Sequence, residues 1–552
     1  MVSTVVHADS RIKRAPTRLK VGCIFDEFTA ACFQPECDLV TFRPDNWKSV
    51  LERNAIDLLF IESAWHGNGG SWQYKIASFK KPMGEELMEV VSYCRERKIP
   101  TVFWNKEDPS HFDRFGHRAP LFDYVFTSDS DMIPNYRAAV KHDRVFALPF
   151  AAQPKIHNPI VEAERAYNVC FAGAYYALDH DERRTDMDHL LGPSLAYDLH
   201  IYDRQHGVAS TNAKAFQFPE KYQPAIRGRL EYDKMVEAYK WYKVFLNVNS
   251  VKQSPTMFSR RVFELLASGT PVISSYSKGI LAILGPEIVH IAQTENETRN
   301  HLDRLLKDDD YWAKVALKGI REVLTKHTYA HRFSEICRNI GLSSAGIPQP
   351  RIAAFAMVDT VDDLTRLTRK LACQTYRNFD LTVIARKDTV RSRADIIGSG
   401  LPDIEARVLP PGTSFPEPLC QAPMGTYVWL INPDDYYGDN FLADEALATM
   451  YSDADVIGKQ TCFELAAGSS KPKVVQPNQE FRFVKSASPG SIIARAGKLG
   501  ADHWKALAEN RMIDLSNFKV LSVDRFNYIR CAGKTARAQS EDSVALPATA
   551  SV

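Results

Sequence analysis

Apolar and polar positions fall in blocks along the chain. Short apolar runs rich in β-branched and aromatic residues recur at 19–25, 39–42, 57–61, 100–104, 124–127 and 145–149. Helical apolar spacing fills several of the gaps, notably 84–98. Strand and helix in alternation predict a doubly wound parallel sheet. The alternation resumes with strands at 167–176, 197–204, 243–249 and 271–275, and again at 351–357, 374–384 and 427–437. Between the last two of the middle group, 258–267 reads as a helix with one buried face. Ser259 is its expected N-cap, Gly269 marks its stop and Pro271 forbids continuation.

The polar residues of that stretch carry chemistry. Arg260 and Arg261 fall in the expected first turn, where free backbone N–H groups favour an anion. A guanidinium there can grip a phosphate through two hydrogen bonds. Glu264, one turn on, is spaced to accept from a pair of sugar or ribose hydroxyls. An ordinary amphipathic helix with a surface Arg–Glu pair also accounts for the spacing.

Length and composition narrow the field. A chain of 552 residues exceeds one core and suggests three units. A net charge of +2 gives no global pull towards nucleic acid or a membrane surface. No apolar run spans a bilayer, and residues 1–20 lack the apolar core of a secretory signal. The ten cysteines are scattered with no C-x-x-C pair, which fits a reducing, cytoplasmic setting.

In open parallel sheets ligands lie beyond the carboxyl ends of the strands. There the first third places Asp26, then Glu62 to Trp72, then Trp104 to Phe112. A base for a sugar hydroxyl must be a carboxylate or histidine, so Asp108, Glu107, His111 and Asp26 are the catalytic candidates. Trp65, Trp72 and Trp104 offer faces on which a sugar can stack. Helix capping by Glu107 and Asp108 ahead of Pro109 is the plainer alternative. In the middle third, Gly173 would let backbone N–H groups approach a phosphate. Tyr175, Arg184, Asp203, Arg204, Asn249 and Ser250 follow strand ends and complete the candidate donor set.

The run Phe263-Glu-Leu-Leu-Ala-Ser-Gly-Thr-Pro-Val-Ile resembles the donor-site signature of GT-B glycosyltransferases. That resemblance implies Glu264 as the ribose ligand, and Arg260 and Arg261 on the diphosphate in place of a metal. Thr256 stands eight residues upstream, where retaining members often carry an acid, so the stereochemical course stays open. Further strings, among them Phe103-Trp-Asn-Lys-Glu-Asp-Pro, Ile201-Tyr-Asp-Arg and Leu246-Asn-Val-Asn-Ser, resemble the CgeB-like (spore-maturation-type) bacterial branch over about 19–342. The implied fold is α/β, two facing Rossmann-like domains, with no cofactor beyond a nucleotide-diphosphate-sugar donor. The acceptor would be a hydroxyl of a surface glycan, a lipid-linked precursor or a protein. An epimerase of the same architecture and a non-catalytic glycan-binding protein are the alternatives, and a homo-oligomer is left open.

Beyond a linker at 343–350, two strings resemble the GT-A glycosyltransferases: Gln374 to Ile384, and Tyr427-Val-Trp-Leu-Ile-Asn-Pro-Asp-Asp-Tyr-Tyr. The second falls where that family holds a divalent metal, Mg or Mn. Asn432 replaces the first expected aspartate, which leaves Asp434 and Asp435 as ligands if this unit is active. Arg386 and Lys387 stand where acidic residues are common. The expected organisation is a disordered tail at 1–17, an acceptor-side domain at 18–155, a donor-side domain at 156–342, a degenerate GT-A-like domain at 351–535 and a disordered tail at 536–552.

Overall fold

The computed structural model describes residues 18–77, 84–177, 181–208, 213–469 and 471–531, so the tails expected at 1–17 and 536–552 lie outside the described residues. The chain divides into two compact units. The first takes 1–153, 251–258 and 327–347; the second takes 154–250, 259–326 and 348–552.

The first unit is built on six parallel strands: β1 (Lys20–Ile24), β2 (Asp38–Thr41), β3 (Leu58–Glu62), β4 (Thr101–Asn105), β5 (Tyr124–Thr127) and β6 (Val145–Ala147). Their order is β2-β1-β3-β4-β5-β6. β3 and β4 are buried at every position, as central strands covered on both faces must be. Alternation along β4 sends Phe103 and Trp104 to opposite faces. Phe103 joins Trp72, Leu87, Val90 and Tyr136 on one side. On the other, Phe33 meets Phe60 and Trp104, then Tyr329 and Phe333 of the helix Tyr329–Ile340. Arg332 of that helix donates to the carbonyls of Pro149 (2.8 Å) and Phe150 (2.9 Å). Trp72 and Trp104 are fully buried, their indole N–H groups on the carbonyls of Phe42 (2.8 Å) and Leu148 (3.1 Å). These two rings are core, not sugar platforms. Residues 251–258 belong to this unit through Ser254 Oγ on Asp129 (2.6 Å) and Thr256 Oγ1 on the Ser128 carbonyl (2.8 Å).

The second unit opens with a parallel sheet of β7 (Tyr167–Gly173), β8 (Leu199–Asp203), β9 (Tyr242–Asn247), β10 (Val272–Ser274) and β11 (His290–Ile291), in the order β11-β10-β9-β7-β8. Helix α1 (Arg261–Ala267) links β9 to β10. It starts later than expected: Arg260 is the N-cap, and Ser259 makes no side-chain cap. Gly269 takes a left-handed φ of +67° just past its end, as expected. Arg165 fixes this end. Its guanidinium donates to the carbonyls of Ser268 (2.9 Å), Gly269 (3.0 Å), Tyr239 (3.0 Å) and Tyr242 (2.9 Å) and to Thr270 Oγ1 (2.7 Å). A cation on the last carbonyls of a helix also suits its dipole.

The same unit contains the C-terminal region. Four parallel strands, β12 (Ile352–Val358), β13 (Phe379–Ala385), β14 (Ala406–Leu409) and β15 (Tyr427–Ile431), run in the order β14-β13-β12-β15. Ile493–Arg495, Val456–Gly458, Val520–Ser522 and Arg482–Val484 extend the sheet to eight strands. Helix α2 (Asp309–Lys326), which follows the β7–β11 sheet in the chain, meets helix α3 (Phe441–Tyr451) of this region. Across that joint Arg321 grips Asp444 through two hydrogen bonds, 2.6 and 2.8 Å, both side chains largely buried. Leu317 of α2 enters an apolar cluster with Phe463, Leu465, Phe526 and Ile529. The C-terminal region therefore shares a core with helix α2 of the preceding region.

Arg165→Met should cost on the order of 3 kcal/mol in the chemical denaturation of the second unit, because several carbonyls lose a charged donor together. Arg165→Lys should recover only part, since an ammonium lacks the planar fork. An unshifted transition in the Met variant would show that the clamp is dispensable.

Candidate functional site

At the carboxyl edge of the β7–β11 sheet three guanidiniums crowd together. Arg261, first residue of α1, donates from Nη1 to the Ala172 carbonyl near the end of β7, and its buried Nε has no partner. Arg183, on the helix Asp181–Ser194, donates from Nη1 to the Val248 carbonyl (2.9 Å), and its buried Nε is likewise unpartnered. Arg204, after β8, is exposed and reaches the Tyr176 hydroxyl at 3.4 Å. Burial pushes the Arg183 guanidinium below its ordinary value, and the charges of Arg204 and Arg261 push it the same way. Cations that disfavour one another while holding idle donors make a strong anion site. Sequence reasoning found Arg261 and Arg204 but left Arg183 out of its donor set, although it stands beside the chosen Arg184. Arg184 turns to Asp181 instead.

Glu264 is held more tightly than its spacing suggested. It is 1% exposed; Oε2 accepts from the Tyr239 hydroxyl (2.6 Å), Oε1 accepts from Arg260, and His157 Nε2 lies 3.8 Å from Oε1. Burial alone would raise its pKa, but Arg260, His157 and Tyr239 outweigh it and hold the carboxyl below its usual value. His157 itself is pushed down to about 4, chiefly by burial, and is neutral at pH 7. A hydroxyl pair reaches Glu264 only by replacing Arg260, the partner whose side chain is partly exposed. Tyr239 and His157 were invisible in the sequence because both lie far from Glu264 along the chain.

Other expected donor contacts are corrected. A Cβ on Gly173 would come within 2.9 Å of the Phe171 ring, so packing against Phe171 by itself accounts for a glycine here. Tyr175 is buried against Phe218. Asn249 is buried and ties β9 to β10, giving Nδ2 to Ser274 Oγ and the Ser275 carbonyl, both at 3.0 Å. Asp203 is buried and accepts from the Gln205 amide (2.9 Å). It borders a cavity of about 230 Å³ that His206, Phe216 and Gln217 also line. Ser250 is exposed at the strand end, and Ser259 is half-buried.

The carboxyl edge of the first unit holds a charged trio. Asp26 accepts from the amides of Trp65 (3.2 Å), His66 (3.1 Å) and Gly67 (2.9 Å) and from Lys106 Nζ (3.2 Å). Lys106 Nζ also lies 3.3 Å from Glu62, which is fully buried and accepts from Thr29 Oγ1 (2.6 Å). Against the cost of burial, Lys106 and these amides keep the Asp26 carboxyl below its usual range. With four donors on two oxygens, Asp26 has little capacity left for a substrate proton. Asp108 is fully buried and accepts from Asn105 (2.7 Å), Thr127 (2.6 Å) and Tyr136 (2.9 Å). That carboxyl is not placed to take a proton from a hydroxyl arriving from solvent. Glu107 is half-buried, and its carbonyl accepts from the His111 amide (3.0 Å). His111 is exposed, edge-on to Trp65 with centroids 5.2 Å apart. Lys106 escaped notice because a lysine among carboxylates reads as a surface ion pair until β1, β3 and β4 bring the three together.

In the C-terminal region Asp435 is fully buried, accepting from the Tyr528 hydroxyl (2.7 Å) and the Cys531 amide (2.9 Å). Burial raises its pKa to about 6. Asp435 is therefore no partner for Asp434 in a metal pair. Among the described residues no group of three or more His, Cys, Asp or Glu side chains is arranged to hold a metal ion. The donor set does not fit the ion that the family resemblance implied.

Glu62 and Asp108 are both pushed up to about 7 by burial. An acid raised in the fold stabilises it while protonated, and that contribution is lost as pH rises from about 4 through about 7. The first unit should therefore unfold at lower temperature at about pH 8 than at about pH 5. Glu62→Gln should flatten the difference, and calorimetry at the two pH values checks it. Asp108→Asn should lower stability by about 1–3 kcal/mol yet spare turnover per folded molecule. Abolished turnover in a folded variant would restore Asp108 as the base.

Residues 190–338 match a family described as "Glycosyl transferase-like". No curated protein matches the chain. Among solved structures, sucrose-phosphate synthase from Thermosynechococcus elongatus is similar at 14% identity and a TM-score of 0.36, over 54% of this chain and 77% of that one. The Anabaena HepE protein in complex with UDP is similar at 11% identity and a TM-score of 0.38, over 58% and 91%. A glycosyltransferase from Rickettsia africae gives 10% and 0.38, over 59% and 90%. No described helix is long and apolar enough to cross a membrane. The matched segment contains Arg204, Arg261 and Glu264, and by it the chain is an enzyme of glycosyl transfer.

Proposed function

We propose that this enzyme moves a sugar from a nucleotide-diphosphate-sugar to a hydroxyl acceptor, with the donor diphosphate held by Arg183, Arg204 and Arg261. The observation that carries this reading is the crowding of those guanidiniums, two of them with a buried, idle Nε. In the step, the bond from the anomeric carbon to the diphosphate oxygen breaks and its electron pair leaves on that oxygen. The guanidiniums stabilise the charge as it develops. A bond forms from the acceptor oxygen to the anomeric carbon, and the acceptor proton passes to a base. The nucleotide ribose displaces Arg260 from Glu264, freeing that guanidinium for the phosphates.

Of the catalytic candidates, His111 is the base in this reading. It is exposed, whereas Asp108 is enclosed and Asp26 is saturated with donors. Residues 18–155 are read as the acceptor side and 156–342 as the donor side of a GT-B enzyme of CgeB-like type. The ten unbridged cysteines accord with a cytoplasmic setting.

Arg261→Ala and Arg183→Ala should each weaken binding of the nucleotide diphosphate by about 10- to 100-fold, measured by calorimetry on the full chain. Undiminished affinity in both would remove the donor site from this place. His111→Ala should lower kcat by at least about 100-fold and leave donor affinity alone. Wild-type turnover in that variant would pass the role of base to another group.

A further inference from the structure

A cavity of about 550 Å³ opens in the C-terminal region, outside the matched segment. It lies beyond the carboxyl ends of β12, β13 and β15, where Asp359, Arg386 and Asn432 directly follow the last strand residues. Its volume falls within the about 300–1,000 Å³ usual for small-ligand sites. Asp363, Arg366 and Asp434 complete its polar lining, and Leu430 and Leu507 supply apolar surface. Arg386 Nη1 sits 3.3 Å from both carboxylate oxygens of Asp359, and Arg366 pairs with Asp363.

The charges select the ligand. The lining holds four carboxylates, Asp362 included, against two guanidiniums, so a bare diphosphate is repelled. The carboxylate pair that the resemblance implied for a metal-borne diphosphate is not presented here, since Asp435 is turned into the core. A sugar hydroxyl both donates and accepts. It can enter a carboxylate–guanidinium pair without leaving either charge unmatched. The apolar residues suit the C–H face of a pyranose ring.

We propose that this cavity binds a neutral oligosaccharide, part of the acceptor glycan remote from the transferred sugar, and needs no metal. The word acceptor rests on the transfer reading above; the binding does not.

The full-length chain is tested on an array of unsubstituted gluco-, manno-, galacto- and N-acetylglucosamine oligosaccharides with chelator present, and affinity for a retained glycan is measured by calorimetry. At least one should be retained. Arg386→Ala and Asp434→Asn should each weaken it by about tenfold or more, while Arg261→Ala should bind it as wild type does. Asp434→Asn is nearly isosteric and decides the matter if Arg386→Ala does not fold. No retained glycan, or retention indifferent to both substitutions, overturns the proposal. So does a nucleotide-sugar with Mn²⁺ whose binding Asp434→Asn abolishes. Glycan binding that depends on Arg386 and Asp434, in a protein whose donor binding ignores Arg183 and Arg261, would sink the transfer reading and leave this one standing.

Discussion

Helix α1 has no solvent face. Every residue from Val262 to Ala267 is buried, Glu264 among them, so the helix can stay in place only if its polar groups are answered inside the protein. Arg165 answers the carbonyls at its end, and Tyr239 and Arg260 answer the carboxylate in its middle. Unpartnered polar atoms remain at both ends: Ser268 Oγ at the C-cap and the Nε of Arg261 at the start, where Arg183 also holds an unpartnered Nε.

The same logic separates the polar clusters of the molecule into two kinds. Around Asp108 and Asp435 both carboxyl oxygens accept from hydroxyls or amides of the fold, and such networks rigidify without reacting. At the carboxyl edge of the β7–β11 sheet like charges gather and donors stay open. Residue type does not distinguish the two, since both are rich in charged residues placed after strands.

That is why the fold was more legible than the site. The six strands of the first unit, the helix after β9 and its stop at Gly269 follow from periodicity, because burying an apolar stripe is a local demand that each segment states for itself. The start of α1 was misjudged because 258 is apolar in the strap that joins the first unit, not in the helix. Among the candidate site residues, Arg261 was readable from its place in the first turn of a helix and Arg204 from its place after a strand. Tyr175 and Asn249 misled because a position after a strand says nothing of which way the side chain turns. Phe218 and Ser274 decided those orientations, and neither is signalled by a motif. The trio of Asp26, Glu62 and Lys106 is assembled at the ends of three separate strands, so only the sheet order reveals it.

The helix Tyr329–Ile340 closes one face of the first unit, with Tyr329 and Phe333 laid on Phe33 and Arg332 holding the carbonyls of Pro149 and Phe150. The ribosome makes that helix long after residue 153. A nascent chain must therefore carry an uncapped aromatic surface while the intervening residues are synthesised, a delay on the order of ten seconds or more at ordinary elongation rates. Birth of this protein is thus a problem of timing, in which the earliest residues wait for late ones and a holding chaperone has a defined surface to shield.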